Sequence, residues 1–316
     1  MTRFLKGHGT ENDFILLPDL AKLEPTAEVP ALSVEQVRRL CDRHAGIGAD
    51  GVLRVLPVGA ATEAEGLATG DARWFMDYRN ADGSVSEMCG NGARLFVRYL
   101  LDTGLESATG FDLATRGGLR RVSLSASGQV CLDMGPATPG RPSMARVGGE
   151  EFPGRQVSMT NPHLVCIIDV DVSTLDLSIA PAVDDTLFPD GVNVEFVNYV
   201  SPDDGAVDDG AVDDGAADGG AADDACQEGG ADGGEVLRVR MRVHERGVGE
   251  TRSCGTGACA VAALALDRMG RDSGRVVVDV PGGQVTVMVT PETTVLGGPA
   301  EFVASGEVDP RWWTAP

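Results

Sequence analysis

The feature that most limits the folds open to this chain of 316 residues is that it reads as one pattern written twice. "SEMCGNGARLFV" runs from Ser86 to Val97 and "TRSCGTGACAVA" from Thr251 to Ala262, each setting a cysteine, Cys89 or Cys254, ahead of a glycine turn and an apolar run. The match extends on both sides. Each half opens with an asparagine followed two residues later by a ring, Asn12 with Phe14 and Asn161 with His163, and then reaches Asp-Gly-Val, at Asp50 and at Asp190. The segments "ARWFMDYRN" and "VLRVRMRVHERG" follow, whose alternation has the two-residue period of a half-buried strand. A Gly-Gly pair comes 28 residues after each cysteine, from Cys89 to Gly117 and from Cys254 to Gly282. A repeat of this extent sets the architecture before any single motif does.

"ARLFVRYLLDTG" and "ACAVAALALDRMG" predict helices that are apolar on nearly all sides and stop at Gly104 and Gly270, the residue favoured just past a helix end. A helix apolar all round must be surrounded by protein. The stretches after each helix read as short strands broken by glycine turns. The expected fold is therefore α+β: two pseudo-symmetric domains, each a mostly antiparallel β-barrel wrapped around a central α-helix, with the active site in the cleft between them. The first domain is expected over 1–136 and the second over 137–302, with a Pro- and Gly-rich linker between Gly135 and Gly154. Pro57 to Asp71 has the composition of an inserted loop. A second insertion, 201–235, holds twelve acidic residues and no basic one. Its low hydrophobicity and single sign of charge predict disorder, and its spacing is not that of a calcium loop.

That tract accounts for much of the net charge of −22; without it 36 acidic residues face 26 basic ones. A net of −10 argues against a nucleic-acid partner, because phosphate contacts need clustered cations. No apolar run reaches the length of a membrane span, and the start lacks a signal-peptide core, so no membrane association and a cytoplasmic location are expected. Seven cysteines form no regular disulfide framework, which suits a reducing compartment. Only two of the 26 basic residues are lysines, Lys6 and Lys22, which argues against a pyridoxal phosphate Schiff base. The histidines His8, His44, His163 and His244 show no metal-type spacing, and neither glycine turn continues into the Lys-Ser/Thr of a nucleotide loop. No metal and no cofactor are expected.

If each helix begins just after its cysteine, free backbone N–H groups at its start can grip a carboxylate. The helix end favours a thiolate too weakly to ionise a thiol alone, so a neighbouring base or a dry site must help. His163 and Glu245, on segments the repeat sets beside the cysteines, are the candidate helpers. Two such ends facing each other would place one sulfur on each side of a substrate carbon, the arrangement for inverting a stereocentre by two-base proton transfer. Cys41, Cys131, Cys166 and Cys259 read as small buried hydrophobes and His8 and His44 as structural or surface residues.

Together "NDF", "YRNADGSVSEMCGNGAR", "NPH", "GVNVEF" and "ERGVGETRSCGTGA" resemble the diaminopimelate epimerase family, over nearly the whole chain apart from the insertions. The resemblance implies cofactor-independent interconversion of LL- and meso-2,6-diaminopimelate, in lysine and peptidoglycan precursor biosynthesis. It implies Cys89 and Cys254 as the acid/base thiols, assisted by His163 and Glu245. Gly90, Asn91, Gly255 and Thr256 would bind the reacting carboxylate, and Asn12, Asn80, Asn161, Asn193 and Arg246 the rest of the substrate. It further implies that 303–316 return to the first domain, and it leaves a homodimer as the candidate assembly. Gly51 departs from the family pattern, where many members carry glutamine. The alternatives kept open are a racemase of the proline racemase type, whose small substrate would leave Arg246 without a partner, and a non-catalytic carboxylate- or phosphate-binding protein.

Overall fold

The computed structural model describes residues 2–18, 31–125, 127–201 and 236–314. The acidic segment expected as a disordered insertion lies, from residue 202 to 235, outside the described residues. The first half comprises β1 (Thr2–Gly9), β2 (Asn12–Pro18), α1 (Val34–Cys41), β3 (Gly51–Pro57), β4 (Trp74–Asn80), α2 (Gly90–Asp102), β5 (Gly110–Thr115), β6 (Gly118–Leu124) and β7 (Val130–Gly135). The second comprises β8 (Thr138–Val147), β9 (Glu150–Ser158), β10 (Pro162–Ile167), β11 (Asn193–Tyr199), β12 (Leu237–Glu245), β13 (Gly249–Thr251), α3 (Gly255–Arg268), β14 (Gly274–Val280), β15 (Gly283–Val289) and β16 (Thr294–Gly298). Then come β17 (Glu301–Val308) and α4 (Pro310–Thr314).

The duplication is visible in the strand pairing. β2–β3 is parallel, β3–β4 antiparallel, β4–β5 parallel, and β5–β6 and β6–β7 antiparallel. β10–β11, β11–β12, β12–β14, β14–β15 and β15–β16 repeat that succession in the same order. Antiparallel pairs dominate both halves. Each half also has an outer antiparallel pair feeding its second strand: β17–β1 before β2, and β8–β9 before β10. β7 and β16, corresponding strands of the two halves, pair with each other and close the network.

Each half of the sheet wraps one helix. α2 is packed by β1, β2, β3, β4, β7 and β17, and α3 by strands β9 to β12 and β14 to β16. Leu95, Phe96 and Val97 of α2, and Val261, Leu264 and Leu266 of α3, are at most 1% exposed. Each such side chain contributes about 1.5–3 kcal/mol on leaving water. Both helices end two residues before a glycine in the left-handed region, Gly104 at φ +68° and Gly270 at φ +70°.

The fixed 28-residue spacing has a local cause. Gly117 and Gly282 sit in the tight turns of the β5–β6 and β14–β15 hairpins. The Gly117 N–H donates to the carbonyl of Glu87 at 2.8 Å and the Gly282 N–H to that of Arg252 at 2.9 Å. Each turn thus ties the backbone two residues ahead of its cysteine, so helix, cap and strand lengths must agree in both halves.

Some expectations differ. The stretch from Gly135 to Gly154 is not a linker but mostly β8 and the start of β9. Pro139 and Pro142 are tolerated because β8 is a peripheral strand laddered to β9, with its irregularity between these two residues. The Asp-Gly-Val match is out of register: Phe14 pairs with Gly51 and His163 with Asn193, so Gly51 corresponds to Asn193, not Gly191. Pro57 to Asp71 is a packed loop, with Ala60, Ala61 and Ala64 buried against Leu56 and Phe75. Helix α1 escapes the repeat reading; Ser33 and Gln36 cap it reciprocally at 3.1 and 3.0 Å.

Candidate active site

The two buried helices begin against each other. Cys89 and Cys254 are the residues preceding α2 and α3, both in extended conformation (φ −142°, ψ 117° and φ −129°, ψ 115°). That backbone turns each sulfur back over its own helix start: the Gly92 N–H donates to Cys89 Sγ at 3.4 Å, and Cys254 Sγ lies 3.6 Å from Thr256 Oγ1. The next residues are glycine because there is no room. A Cβ at Gly255 would stand 3.4 Å from the Gly90 Cα and 2.9 Å from Leu296 Cδ2, and one at Gly90 3.0 Å from that same leucine carbon. Asn91 crosses between the halves, donating at 3.2 Å to the carbonyl of Ser253, the neighbour of Cys254.

Superimposing the ladders of the two halves shows how differently the sulfurs are surrounded. Around Cys254 the second half sets His163 on β10, Glu195 on β11 and Glu245 at the end of β12. The positions corresponding to His163 and Glu195 in the first half are Phe14 and Leu53, and that of Glu245 is Asn80. His163 and Glu195 are wholly buried, with Nδ1 2.6 Å from Glu195 Oε1 and Nε2 3.0 Å from Asn161 Oδ1. Glu195 Oε2 has no partner among the described residues. Glu245 accepts from Thr251 Oγ1 at 2.5 Å.

Burial governs the ionisation of both thiols. It pushes Cys89 up to about 11; the Gly92 N–H opposes the rise, the Glu245 carboxylate adds to it, and Arg94 opposes it. Burial, then the carboxylates of Glu245 and Glu195, hold Cys254 well above the ordinary thiol range. Burial also raises Glu245, against hydrogen bonds from Thr251 and Cys254. At neutral pH the ligand-free site therefore keeps protons on both sulfurs, and Glu245, which acts on both, is the carboxylate they share.

The other expected residues fall into two groups. Asn12 and Asn91 spend their side chains on each other and on the protein: Asn91 Nδ2 donates to Asn12 Oδ1 at 3.2 Å and Asn12 Nδ2 to Asp50 Oδ2 at 2.8 Å. The Cys89 thiol faces that Asn12 oxygen at 3.8 Å. The second group is held by other neighbours. Asn80 donates to Ser84 Oγ at 3.0 Å within its own turn. Asn193 Oδ1 accepts the Arg246 backbone N–H at 2.9 Å, and the exposed Arg246 side chain lies over Gly191 and donates to the Asp190 carbonyl at 3.2 Å. Gly51 has an explanation: a Cβ there would stand 2.6 Å from Tyr78 Cε2, so the tyrosine ring occupies the space a larger residue would need.

Sequence reasoning missed Glu195, Tyr78, Arg94, Thr10 and Ser253. A signal existed for two of them. Glu195 interrupts the apolar strand "VNVEFV" and Arg94 the apolar helix "ARLFV", each a charge where the pattern demands none. Thr10 and Glu11 form the two-residue turn between β1 and β2 with φ of +49° and +59°, a conformation in which glycine or asparagine is expected. Thr10 Oγ1 donates to Ser253 Oγ at 2.7 Å and Glu11 pairs with Arg252, so this hairpin clasps the second half. No group of three or more metal-ligating side chains gathers among the described residues.

A sequence model of the family described as diaminopimelate epimerase matches residues 4–139 and 233–303. The chain is 44% identical to the diaminopimelate epimerase of Mycobacteroides abscessus, covering 98% of this chain and 97% of that protein. It is also 44% identical to the diaminopimelate epimerase of Mycolicibacterium smegmatis, covering 99% and 98%. Among solved structures, a phenazine biosynthesis protein of the PhzF family from Bacillus anthracis superimposes with a TM-score of 0.64 at 15% identity, covering 97% of this chain and 98% of that one. A hydroxyproline epimerase from Agrobacterium vitis does so with a TM-score of 0.57 at 15% identity, covering 99% and 94%. These last two share the fold.

Proposed function

The chain belongs to the diaminopimelate epimerase family, and from that premise we propose that it inverts one stereocentre of LL-2,6-diaminopimelate to give the meso isomer, with Cys89 and Cys254 as the two acid/base groups. One sulfur, as thiolate, takes the α-hydrogen as a proton. The C–H electron pair moves onto the α-carbon and into the adjoining carboxylate, where N–H groups at Gly90–Asn91 and Gly255–Thr256 stabilise the developing charge. The other sulfur gives its proton to the opposite face and is left as thiolate. The carbon is inverted and the two sulfurs have exchanged protonation states.

The observation that carries this reading is the abutment of two cysteine-capped helix starts at Gly90 and Gly255, which gives a single carboxylate donors from both halves. The raised thiols call for help in forming a thiolate. Glu245 is placed to take a proton from Cys254, and the substrate's own α-ammonium brings a cation beside either sulfur. His163 and its partner Glu195 stand behind Cys254 as a fixed polar support. We assign Asn80, Asn161, Asn193 and Arg246 to the remainder of the substrate, with Arg246 as the fork for the distal carboxylate. Asn12 completes the set beside Cys89. The reading extends to a cytoplasmic enzyme, a division into 1–136 with 303–316 and 137–302, and a homodimer. No helix among the described residues is long and apolar enough to cross a membrane.

Incubation with LL-diaminopimelate in heavy water tests it. Meso product carrying deuterium at the inverted α-carbon is expected, with loss of both on Cys89→Ala or Cys254→Ala substitution and no turnover of proline. Isomerisation of proline instead, or intact ligand binding with no exchange into any amino acid, would replace this reading by one of its alternatives.

A further inference from the structure

Among the described residues Arg94 is the largest fully buried side chain, and none of their carboxylates is bonded to it. Nη2 donates to Asn91 Oδ1 at 2.9 Å and to Thr10 Oγ1 at 3.3 Å, Nε reaches the Pro299 carbonyl at 3.4 Å, and Nη1 has no partner among the described residues. A buried guanidinium resting on neutral oxygens is costly unless an anion compensates it. The protein makes room for it: a Cβ at Gly9 would come within 3.1 Å of Nη2 and one at Gly298 within 3.4 Å of Nε. The corresponding residue of α3, five places after its cysteine, is Cys259.

We propose that Arg94 is the buried counter-cation of the Cys89 thiolate and the positioning residue that orients the Asn91 amide and, through it, the Asn12 amide that faces that sulfur. This deepens the two-thiol reading and rests on it. Arginine can only donate, so it fixes Asn91 with Oδ1 toward the guanidinium and Nδ2 toward Asn12. Asp50, an acceptor, fixes the far end by taking the Asn12 Nδ2 hydrogen. The series Arg94, Asn91, Asn12, Asp50 thus runs in one sense, from cation to anion, and leaves Asn12 Oδ1 as the acceptor for the Cys89 S–H. When that proton leaves, the Gly92 N–H already faces the sulfur and the guanidinium balances the new charge.

The two thiols therefore have different surroundings. Cys254 is faced by His163, Glu195 and Glu245 of the second half, whereas the corresponding Phe14 and Leu53 of the first half are apolar. Among the described residues, Glu245 from β12, Tyr78 from β4 and Arg94 from its own helix act on Cys89, and of these three Arg94 is the cation. The other thiol facing Arg94, Cys259, is buried within α3 and bonded to Thr294, with burial pushing it up to about 12.

The test is the rate of iodoacetamide alkylation of Cys89 and of Cys254 at pH 8.5 in the ligand-free enzyme, read peptide by peptide, beside kcat and KM for diaminopimelate. Arg94→Met and Arg94→Gln are expected to slow alkylation of Cys89 about tenfold or more, since loss of a nearby opposite charge raises a thiol by roughly 1–3 pH units. Cys254 should stay within about twofold, and kcat should fall far more than KM rises. Arg94→Lys should keep Cys89 alkylation within about threefold of the parent while losing activity through misoriented amides. Unchanged Cys89 alkylation in a folded neutral variant overturns the proposal, as does an equal loss at both cysteines. Should neither neutral variant fold, Arg94→Lys decides: a tenfold slowing at Cys89 despite the retained charge overturns it. Alkylation is read without turnover, so an enzyme inactive on diaminopimelate would refute the proposed substrate and leave this measurement standing.

Discussion

At Cys89 the sulfur has a partner for each of its protonation states: the Asn12 oxygen for the thiol and the Gly92 N–H for the thiolate. Such a group can give and take a proton without rearranging its surroundings, which is what a residue that alternates between acid and base requires. The resting balance lies on the thiol side, because burial holds Cys89 up to about 11. The rate of its alkylation in ligand-free enzyme should therefore climb about tenfold per pH unit from pH 7 to pH 10. A plateau setting in below pH 8 would mean that the thiolate is already formed without substrate. Cys41 and Cys166 are buried and lie at about 12, and should stay unmodified throughout.

At the scale of elements, everything depends on two helix starts approaching as closely as backbones can. Gly255→Ala is expected to destabilise by about 1–3 kcal/mol and to remove most activity, since the new methyl group meets Leu296 and Gly90 together. Activity retained at half the parent level would show that the helices can separate without harm. A second element carries the strand that leads to Cys89. Asp77 on β4 is fully buried and is met by Arg54 at 2.9 Å, Arg79 at 3.0 Å and Arg116 at 2.8 Å. Burial alone would raise its carboxyl, but the guanidiniums of Arg116, Arg79 and Arg54 hold it below the usual range. A depressed carboxyl adds stability above its unfolded pKa of about 4 and loses it as the pH falls through the folded value. Asp77→Asn should therefore cost about 3–5 kcal/mol at pH 7 in denaturant unfolding and flatten the acid side of the stability profile. An unchanged midpoint at pH 7 would show the three arginines to be adequately solvated.

On the scale of the whole molecule, the halves are joined by an edge, a clasp and an exchange of strands. β7 pairs with β16, Thr10 and Asn91 reach Ser253, and β17 runs beside β1. In sequence the acidic segment follows β11. It joins β11 to β12, neighbouring antiparallel strands whose ladder reaches Tyr199 opposite Val239 and whose Val200 N–H donates to the Arg238 carbonyl at 3.0 Å. A short turn can close such a hairpin. Replacing 203–234 by a two- to four-residue turn should leave kcat/KM within about twofold, because loop length adds little to the cost of closure. A loss of tenfold or more would assign that segment a part in catalysis.

Much of this was legible in the order of residues because it depends on local geometry. A glycine turn after an extended cysteine starts a helix, an all-apolar helix demands a surrounding sheet, and a repeat of both with equal spacing demands two such units. Asn12, His163 and Glu245 could be singled out because each has a fixed offset within its half. What the tertiary structure decided is how the halves meet. The abutment of Gly90 and Gly255, the clasp of Thr10 and Ser253, and the substitution of Phe14 and Leu53 for His163 and Glu195 join residues distant in sequence, and no periodicity records them. Burial, which sets the ionisation of both sulfurs and isolates Arg94, belongs to the packed molecule, since it depends on which atoms exclude water from a given group.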